Sequence, residues 1–282
     1  MSLIFKPEHH EYVSTDGDQI DWISVTSLIG LFKEKFDAEA KAAKSAKNKK
    51  SKWYGLPVSE ILQAWKNEAK RATDLGTWYH NQREADLCGI DSITKQGIEL
   101  PIHKPVIENG VKVAPNQKLA PGIYPEFLVY LKSAAICGQT DKVEVINDIV
   151  DIYDYKTNKE LKTEGFTNWE GITSKMLAPV NHLDDCHLSH YNLQLSIYMY
   201  MILKHNPKLK PGKLVINHIK FEEIGRDKYD NPITALDSDG NPIVKEIVNY
   251  VLPYLKSEVI SLINYLKDNK SNLLNKTNKH AA

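Results

Sequence analysis

The stretch Gly138–Thr157 reads GQTDKVEVINDIVDIYDYKT and contains two runs rich in Val and Ile on either side of Asn147-Asp148. Asn and Asp tolerate the positive φ angles that a two-residue hairpin turn requires. The pattern therefore predicts an antiparallel β-hairpin whose turn is Asn147-Asp148. In this register one face is apolar near the turn, where Val145 faces Val150 and Val143 faces Ile152.

The open end of the same face carries charged residues, because side chains two residues apart on a strand share a face. Asp141 faces Asp154, and Lys156 projects beside Asp154. Facing β-carbons lie roughly 4.5–5.5 Å apart, which is close enough for two carboxylates to bind one divalent cation. Facing like charges otherwise destabilise a hairpin, so the pair indicates a metal site, with solvated surface residues as the alternative. The register also opposes Glu144 to Asp151 on the outer face.

Composition and charge narrow the classes of function. The chain has 282 residues, 42% of them hydrophobic, and a formal net charge of zero, which suits a single globular domain over residues 1–282. A neutral chain creates no global field for nucleic acid, so any attraction must come from local patches. Only Arg71, Arg83 and Arg226 are arginines, and the lysines that supply the other cations suit non-specific phosphate contacts more than base reading.

The three cysteines, Cys88, Cys137 and Cys186, are isolated from one another and form no C-x-x-C pair. This spacing argues against a zinc site, an iron–sulfur cluster and a disulfide framework. The sequence shows neither a signal peptide nor a long apolar span, so we expect a cytoplasmic protein without a membrane partner.

Residues 1–58 are predicted to form a hairpin followed by a lysine-rich helical region. Strand-like runs at Leu3–Phe5 and Glu11–Val13 precede a turn signal at Asp16-Gly17. The lysines that follow form either a solvated face or an arm that contacts phosphates. The second interpretation assigns substrate binding to Lys44, Lys47, Lys49 and Lys50, with Trp53, Tyr54 or Trp65 available for base stacking.

A longer helix is predicted over Ser59–Cys88, with Gly89 as its C-terminal cap. Gly76 interrupts the helix at a cost of about 1 kcal/mol relative to Ala, unless another group packs close to it. His80 and Glu84 follow at four-residue steps and share its face. This His is either a metal ligand or a satisfied polar residue. A fold that places this face on the metal site would bring the preceding lysines near its mouth.

A strand predicted from Glu126 to Lys132 enters the hairpin after a loop-rich segment at residues 89–125, which contains several prolines. Glu126 either joins the metal cluster or faces solvent. An irregular stretch, Asn158–Leu188, follows the hairpin, and its length is typical of a functional loop or flap.

A helix is predicted over Ser189–His205, because Asn206-Pro207 ends its apolar pattern. Gln194 and Tyr198 lie four residues apart on one face of it. Core packing accounts for Tyr198, whereas Gln194 requires a polar partner. The elements predicted after this helix are a strand at Lys213–Phe221, a hairpin insertion at Asp239-Gly240, and, within residues 250–282, a C-terminal helix at Tyr250–Leu266 with a frayed tail.

These residues occur in an order that resembles the RecB-type nucleases of the PD-(D/E)XK superfamily. The order is Gly76, His80 and Glu84, then Glu126, then Gly138 and Asp141, then Asp154–Thr157 (DYKT), then Gln194 and Tyr198. The segment Trp22–Ser27, WISVTS, further resembles the mitochondrial genome maintenance exonuclease branch and its phage and bacterial relatives. The chain lacks the cysteine pattern of the iron–sulfur subfamilies, so no iron–sulfur cluster is expected.

The resemblance implies a restriction-endonuclease-like core, which is an α/β fold with a central mixed sheet flanked by helices and an active site on a β-hairpin. It implies that one or two Mg²⁺ or Mn²⁺ ions are held by His80, Asp141, Asp154 and the Tyr155 carbonyl. Oxygen ligands suit such hard ions, and one imidazole favours Mn²⁺ over Mg²⁺.

The resemblance also implies roles around the metal. Lys156 would hold and polarise the attacking water, while Gln194 and Tyr198 would orient Lys156 or touch the phosphate. The implied catalytic residues are Glu126, Asp141, Asp154, Lys156, Gln194 and Tyr198, and the implied substrate contacts include Glu84 and Thr157.

Three classes of function stay open at this point. The first is a metal-dependent exonuclease that acts on single-stranded DNA or DNA ends, with replication or recombination proteins as partners in a bacterial or phage-infected cell. The second is an endonuclease or RNase on the same fold. The third is a catalytically silent nucleic-acid-binding module, against which the intact set of Asp141, Asp154 and Lys156 argues.

Overall fold

The computed structural model describes residues 3–6, 11–14 and 20–277, with side chains described up to residue 269. It has a mixed α/β fold in which helices flank a mixed sheet. The predicted turn at Asp16-Gly17 and the last residues of the predicted tail, 278–282, lie outside the described residues. The helices are α1 (Val25–Gly30), α2 (Ala38–Lys47), α3 (Val58–Cys88), α4 (His187–His205) and α5 (Lys256–Thr277).

The strands form a main sheet and several small ones. In chain order they are β1 (Leu3–Lys6), β2 (Glu11–Ser14), β3 (Ile23–Ser24), β4 (Ser92–Lys95), β5 (Ile98–Pro101), β6 (Val106–Glu108), β7 (Val111–Val113), β8 (Gly122–Leu131), β9 (Ile136–Ile146), β10 (Ile149–Lys156), β11 (Lys210–Phe221), β12 (Glu223–Arg226), β13 (Pro232–Thr234) and β14 (Val244–Leu252). The main sheet has the order β14-β11-β10-β9, with β8 beside β9 and β3 against the start of β9. It is mixed because β10 runs parallel to β11, whereas β14, β9 and β8 pair antiparallel with their neighbours.

The hairpin at the centre of this sheet is the predicted one. Asn147 and Asp148 have φ angles of 49° and 64°, as a two-residue turn with both central residues in the left-handed region requires. The facing pairs Val145–Val150 and Val143–Ile152 have the predicted register. These four side chains are at most 1% exposed, so the predicted apolar face is confirmed as part of the core.

The main core lies between this face and the helices α1, α4 and α5. Helix α4 is apolar on most of its surface because it is buried within the core, as Leu193, Leu195 and Met199 show with no exposed area. It ends where predicted, and the Asn206 side-chain amide donates a hydrogen bond of 2.8 Å to the carbonyl of Ile202.

Helix α3 has 31 residues, so it is about 46 Å long at 1.5 Å per residue. Its first turns pack against α2 through a small separate core that contains Trp53, Ile61 and Ala64. Its C-terminal half lies against the main sheet, where Tyr79 contacts Tyr155 with ring centroids 5.5 Å apart. The two ends of this helix therefore serve different parts of the molecule.

The segment 89–125, predicted to be loop-rich, also contains two short hairpins, β4–β5 and β6–β7. The predicted start of the C-terminal helix is wrong, because Tyr250 lies in β14 opposite Ile216 of β11. Pro253 ends this strand, and helix α5 runs from Lys256 to Thr277, where a frayed tail was predicted in part.

Two other predictions are met. The Asn158–Leu188 stretch is irregular apart from isolated bridges and the first residues of α4. Asp239-Gly240 forms a turn in which Gly240 has a φ of 83° and donates its N–H to the Asp237 carbonyl. Among the described residues, none of the helices has the length and apolar character needed to cross a membrane.

Candidate metal centre and catalytic site

The candidate site forms where β8, β9 and β10 lie side by side and helix α3 crosses them. Glu126 of β8 lies opposite Asp141 of β9, because the paired residues on either side of them flank this position. The β9–β10 ladder is paired up to Lys142 and Tyr153, and the next two residues are Asp141 and Asp154. The sheet thus brings one carboxylate from each of three neighbouring strands to the same level.

Helix α3 adds His80 to this level. The ligand atoms of His80, Glu126 and Asp141 all lie within 4.8 Å of one another. His80 Nδ1 is 3.3 Å from Asp141 Oδ1, and His80 Nε2 is 3.1 Å from the Tyr155 carbonyl oxygen. The Tyr155 N–H donates a hydrogen bond of 2.5 Å to Asp141 Oδ2. We refer to His80, Glu126 and Asp141 as the triad.

The position of His80 depends on Gly76, one turn earlier in α3. A Cβ at Gly76 would lie 3.1 Å from Thr157 Oγ1, so a larger residue would force a small shift of the Thr157 side chain or of the helix. This close approach supplies the packing that a glycine in mid-helix requires. Thr157 is half-buried here and helps to set the distance between helix and sheet.

The triad residue Glu126 has a φ of 48°, which is unusual for a residue with a side chain and is typical of functional sites. Gln139 donates a hydrogen bond to its Oε2. Lys112 Nζ lies 3.7 Å from Glu126 Oε2 and 2.8 Å from Glu84 Oε1. Glu84, predicted to contact substrate, is therefore ion-paired with Lys112 beside the triad.

The Asp154 carboxylate lies next to the triad and is 1% exposed. Its Oδ2 is 2.5 Å from Lys156 Nζ, and Lys156 Nζ also lies 4.7 Å from the centre of the Tyr191 ring. Asp154 was predicted as a metal ligand, but the group whose ligand atoms converge contains Glu126 instead. In this structure Asp154 mainly holds Lys156.

Gln194 and Tyr198 differ in part from their predicted roles. Gln194 Nε2 donates to Asp154 Oδ1 and to the Tyr198 hydroxyl, both at 3.4 Å, so its contact is with Asp154 and not with Lys156. Tyr198 is 3% exposed, and this burial is incompatible with contact to a phosphate. A Cβ at Gly138 would lie 2.6 Å from the Tyr198 ring, which explains the glycine three residues before Asp141.

Two buried carboxylates of the site, Glu126 and Asp154, are driven towards their protonated forms. Burial, together with the charge of Asp141, raises the pKa of Glu126. Burial also raises the pKa of Asp154, against the opposing charge of Lys156. Carboxylates that are driven towards protonation in this way are stabilised as anions by a cation placed among them. The chemistry of the donor set, two carboxylates, an imidazole and a backbone carbonyl, fits Mg²⁺ or Mn²⁺.

The basic groups of the site are held in their charged forms. Burial opposes the protonation of His80, but its hydrogen bond to Asp141 and the charges of Asp141, Asp154 and Glu126 raise its pKa to about 9. Burial likewise opposes the charge of Lys156, and the carboxylates of Asp154 and Asp141 outweigh it, so the pKa of Lys156 is raised.

The lysines predicted to bind substrate lie away from the triad. Their side chains are exposed, and α2 packs at the Ile61–Ala64 end of α3. From Ala64 to His80 the helix rises about 24 Å, so the expectation that these lysines lie at the mouth of the site is not met. They are Lys44, Lys47, Lys49 and Lys50.

The aromatic residues predicted for base stacking differ in how far they are exposed to solvent. Trp53 is 8% exposed and packs against Tyr229, with ring centroids 5.2 Å apart, and against Trp65 at 6.2 Å. Trp53 is thus a core residue, and its proposed role in stacking is wrong. Tyr54 is 51% exposed and stays accessible.

Sequence reasoning gave no role to Lys112, Gln139 or Tyr191. Gln139 is two residues from Asp141 on the same strand face, and this spacing could have indicated it. Tyr191 is three residues before Gln194 on α4, a spacing that places both on one side of the helix. Lys112 is brought to Glu126 only by the tertiary fold.

Comparison of the whole chain with protein-family models, with curated proteins and with solved structures finds no match. The site is therefore interpreted from its own residues.

Proposed function

We propose that the chain is a metal-dependent DNA exonuclease that hydrolyses phosphodiester bonds in single-stranded DNA or at DNA ends. The observation that carries this proposal is the convergence of the triad within 4.8 Å beside the buried Asp154–Lys156 pair. A cluster of carboxylates with one lysine at the end of a hairpin suits hydrolysis of a phosphodiester, because it offers negative groups for a divalent cation and a positive group for the developing charge.

We further propose that the fold core is that of the RecB-type PD-(D/E)XK nucleases, with a restriction-endonuclease-like sheet. Support comes from the order of the motif residues along the chain and from the mixed sheet whose central hairpin carries Asp141 and Asp154. The same proposal includes a role for the enzyme in DNA replication, recombination or repair.

The triad residues would hold Mg²⁺ or Mn²⁺, with the Tyr155 carbonyl beside His80 and Asp154 at the edge of the set. When bound, the ion supplies Lewis-acid polarisation of the phosphoryl oxygen and stabilises the leaving oxygen. Gln139 and Lys112 would orient the Glu126 carboxylate through the contacts described above.

Lys156 would hold the attacking water and offset the negative charge that develops on the phosphorus oxygens. Its side chain is 17% exposed, so the ammonium acts from a largely dehydrated position where its charge is weakly screened. Asp154 and the Tyr191 ring fix its direction. Gln194 holds Asp154 in turn and is a positioning residue.

The exposed lysines of α2 and the loop after it would contact the DNA backbone at a distance from the chemistry. The helix rise of about 24 Å from Ala64 to His80 is the distance that a bound strand must cover between the lysines and the triad. We propose that a strand held at the lysines reaches the triad along α3, with Tyr54 available to stack on a base.

The test is digestion of linear DNA labelled separately at each end, single- and double-stranded, with circular DNA and RNA as competing substrates. We expect cleavage from ends with Mg²⁺ or Mn²⁺ and none with EDTA. Equal cleavage of circular DNA would replace the exonuclease with an endonuclease. Absence of metal-dependent cleavage of every substrate would contradict the proposed function.

A further inference from the structure

A cavity of about 410 Å³ lies against β8, between this strand and residues 103–106 and 112–120. Its size is within the range of sites that bind small ligands. Glu126 and Lys112 line it, and both also belong to the candidate site, where Glu126 is a triad residue. A ligand in this cavity would therefore lie next to the reacting groups.

The charged lining of the cavity favours an anion. Among the described residues that line it are Lys104, Lys112 and Lys118 together with His103, against one carboxylate, that of Glu126. Lys112 is engaged by Glu84 and Glu126, but the other two lysines keep donors for a ligand. Lys118 donates to the neutral carbonyl of His205, and an ammonium group has three donors in all.

The ion pair made by Lys104 is also weak. It is 3.1 Å from Asp91, whose side chain is 98% exposed, and ion pairs of this kind contribute little. An anion in the cavity could therefore compete with Asp91 for this lysine.

The uncharged walls of the cavity are aromatic and apolar. His103 stacks on Tyr124 with ring centroids 4.3 Å apart and an angle of 17° between the rings. Val106 and Phe127 form other parts of the wall. An apolar and aromatic wall with cations at its rim is suited to a nucleotide, which presents a flat base and a phosphate in one molecule.

We propose that this cavity binds the phosphate-bearing terminal nucleotide of a DNA strand and so makes the enzyme act from an end. The identity of the ligand as a strand end rests on the proposed nuclease function. A site of this size beside the triad takes a terminus, whereas an endonuclease requires the chain to continue on both sides of the reacting phosphate. The phosphate belongs to either the 5′ or the 3′ terminus, and the experiment distinguishes the two.

The experiment is a calorimetric titration of the full-length chain in EDTA with 5′-dTMP, 3′-dTMP and thymidine. We expect one of the monophosphates to bind about tenfold or more tightly than thymidine, because hydrogen bonds to charged groups are the stronger ones. The monophosphate that binds more tightly identifies the terminus.

Two variants and two controls locate the binding. Lys104→Gln/Lys118→Gln should remove the advantage of the monophosphate, and Lys220→Gln, an exposed lysine of β11 paired with Glu246, should keep it. Ala120→Trp places a large side chain at an exposed lining position and should weaken both ligands, whereas Ala69→Trp on the exposed side of α3 should weaken neither.

Binding of the monophosphate no tighter than thymidine would overturn the proposal, as would unchanged binding in both cavity variants. The result is independent of cleavage, because the titration contains no divalent metal. Cavity binding without any nuclease activity would keep the nucleotide site but reject both the proposed function and the assignment of the ligand as a strand end. End-directed cleavage without cavity binding would keep the proposed function and reject the site.

Discussion

The hairpin β9–β10 carries buried carboxylates on both of its faces, and the two faces differ in the charged groups that surround these carboxylates. On the outer face, Glu144 is 4% exposed and is paired with Lys95 and, at 2.9 Å, with Lys142. Tyr153 donates a further hydrogen bond of 3.2 Å to it. On the inner face, Asp141 and Asp154 are paired with His80 and Lys156 respectively, and they lie beside a third carboxylate, Glu126.

The pKa directions follow this difference in charge balance. Burial raises the pKa of Glu144, but the charges and hydrogen bonds of Lys142 and Lys95 outweigh it and the net shift is downward. Burial raises the pKa of Glu126, and the charge of Asp141 adds to the increase. Burial of a carboxylate therefore does not by itself indicate a functional site; a cluster of buried carboxylates whose pKa values stay raised despite nearby cations is the better indication.

The largest difference in kcat should appear between variants of the two lysines of the hairpin, Lys156 and Lys142. Lys156 and Lys142 are similarly enclosed, at 17% and 19% exposure of their side chains, but they serve opposite faces. Lys156→Ala should lower kcat by at least about a hundredfold, as loss of one group that stabilises transition-state charge commonly does. Its affinity for Mn²⁺ should change little, because its role belongs to the water and the transition state.

Lys142→Ala is the matched control and should retain wild-type kcat while lowering the melting temperature. Steady-state cleavage and metal titration of both variants give the measurement. Equal loss of kcat and of metal affinity in Lys156→Ala would show that the role assigned to Lys156 is wrong.

At pH 8, replacing Glu126 and replacing Glu144 by Gln should change the stability of the fold in different directions. The folded chain holds the proton of Glu126 more tightly than the unfolded chain does, so its contribution to stability falls as pH rises from about 4.5 through the raised pKa. At pH 8, Glu126→Gln should therefore raise the melting temperature or leave it unchanged. Glu144 has a lowered pKa, and its contribution is present above about 4.5 and lost below it.

Glu144→Gln should accordingly lower stability at pH 8 by about 2 kcal/mol, since it removes charged hydrogen-bond partners from two lysines. Urea unfolding of both variants at pH 8 and pH 4 measures the difference. The comparison between the faces fails if Glu126→Gln is destabilised as much as Glu144→Gln at pH 8.

A smaller effect concerns His80 and pH. Because the pKa of His80 is raised to about 9, binding of a metal to this imidazole at pH 7.5 must release a proton. The proton of His80 should therefore contribute up to about tenfold per pH unit to the rise in the affinity of the wild type for Mn²⁺ between pH 7 and 9, and the raised pKa of Glu126 acts in the same direction. His80→Ala should bind more weakly and show a flatter pH dependence, as calorimetry in buffers of different ionisation enthalpy would reveal.

If the wild type and His80→Ala take up or release the same number of protons on binding Mn²⁺, His80 is a packing residue of α3 and not a ligand.

The exposed lysines should have the smallest effect on turnover, because α2 packs against the Ile61–Ala64 end of α3, about 24 Å along that helix from His80. Changing Lys44, Lys47, Lys49 and Lys50 to Gln should weaken binding of single-stranded DNA of any sequence. Each lost phosphate contact should flatten the slope of log affinity against log salt by about 0.7. An unchanged slope, measured by fluorescence anisotropy at several salt concentrations, would leave these lysines as a solvated surface.

The inner face of the hairpin could be predicted from the sequence because its information is local. The turn residues Asn147-Asp148 fix the register, and the two-residue period of a strand then places Asp141, Asp154 and Lys156 on one face. The charge balance of the outer face could not be predicted from the sequence. One of the two lysines paired with Glu144 is Lys95, which lies 49 positions away in the chain.

Other errors have the same origin in long-range pairing. Tyr250 lies in a run with both helical and strand patterns, and only its pairing with Ile216 of β11 decides for the strand. The prediction that Trp53 is available for stacking is wrong because nothing nearby in the sequence indicates Tyr229 as its packing partner. Glu126 could be placed with Asp141 only once the register of β8 against β9 was known.

The central claim is that the inner face binds a divalent metal and the outer face does not, and titration of Mn²⁺ into three chains tests it most directly. We expect the wild type and Glu144→Gln to bind with equal affinity, and Asp141→Asn to bind at least about tenfold more weakly, since it loses a ligand of the triad. Absence of Mn²⁺ binding by the wild type, or equal affinity in Asp141→Asn, would contradict the account.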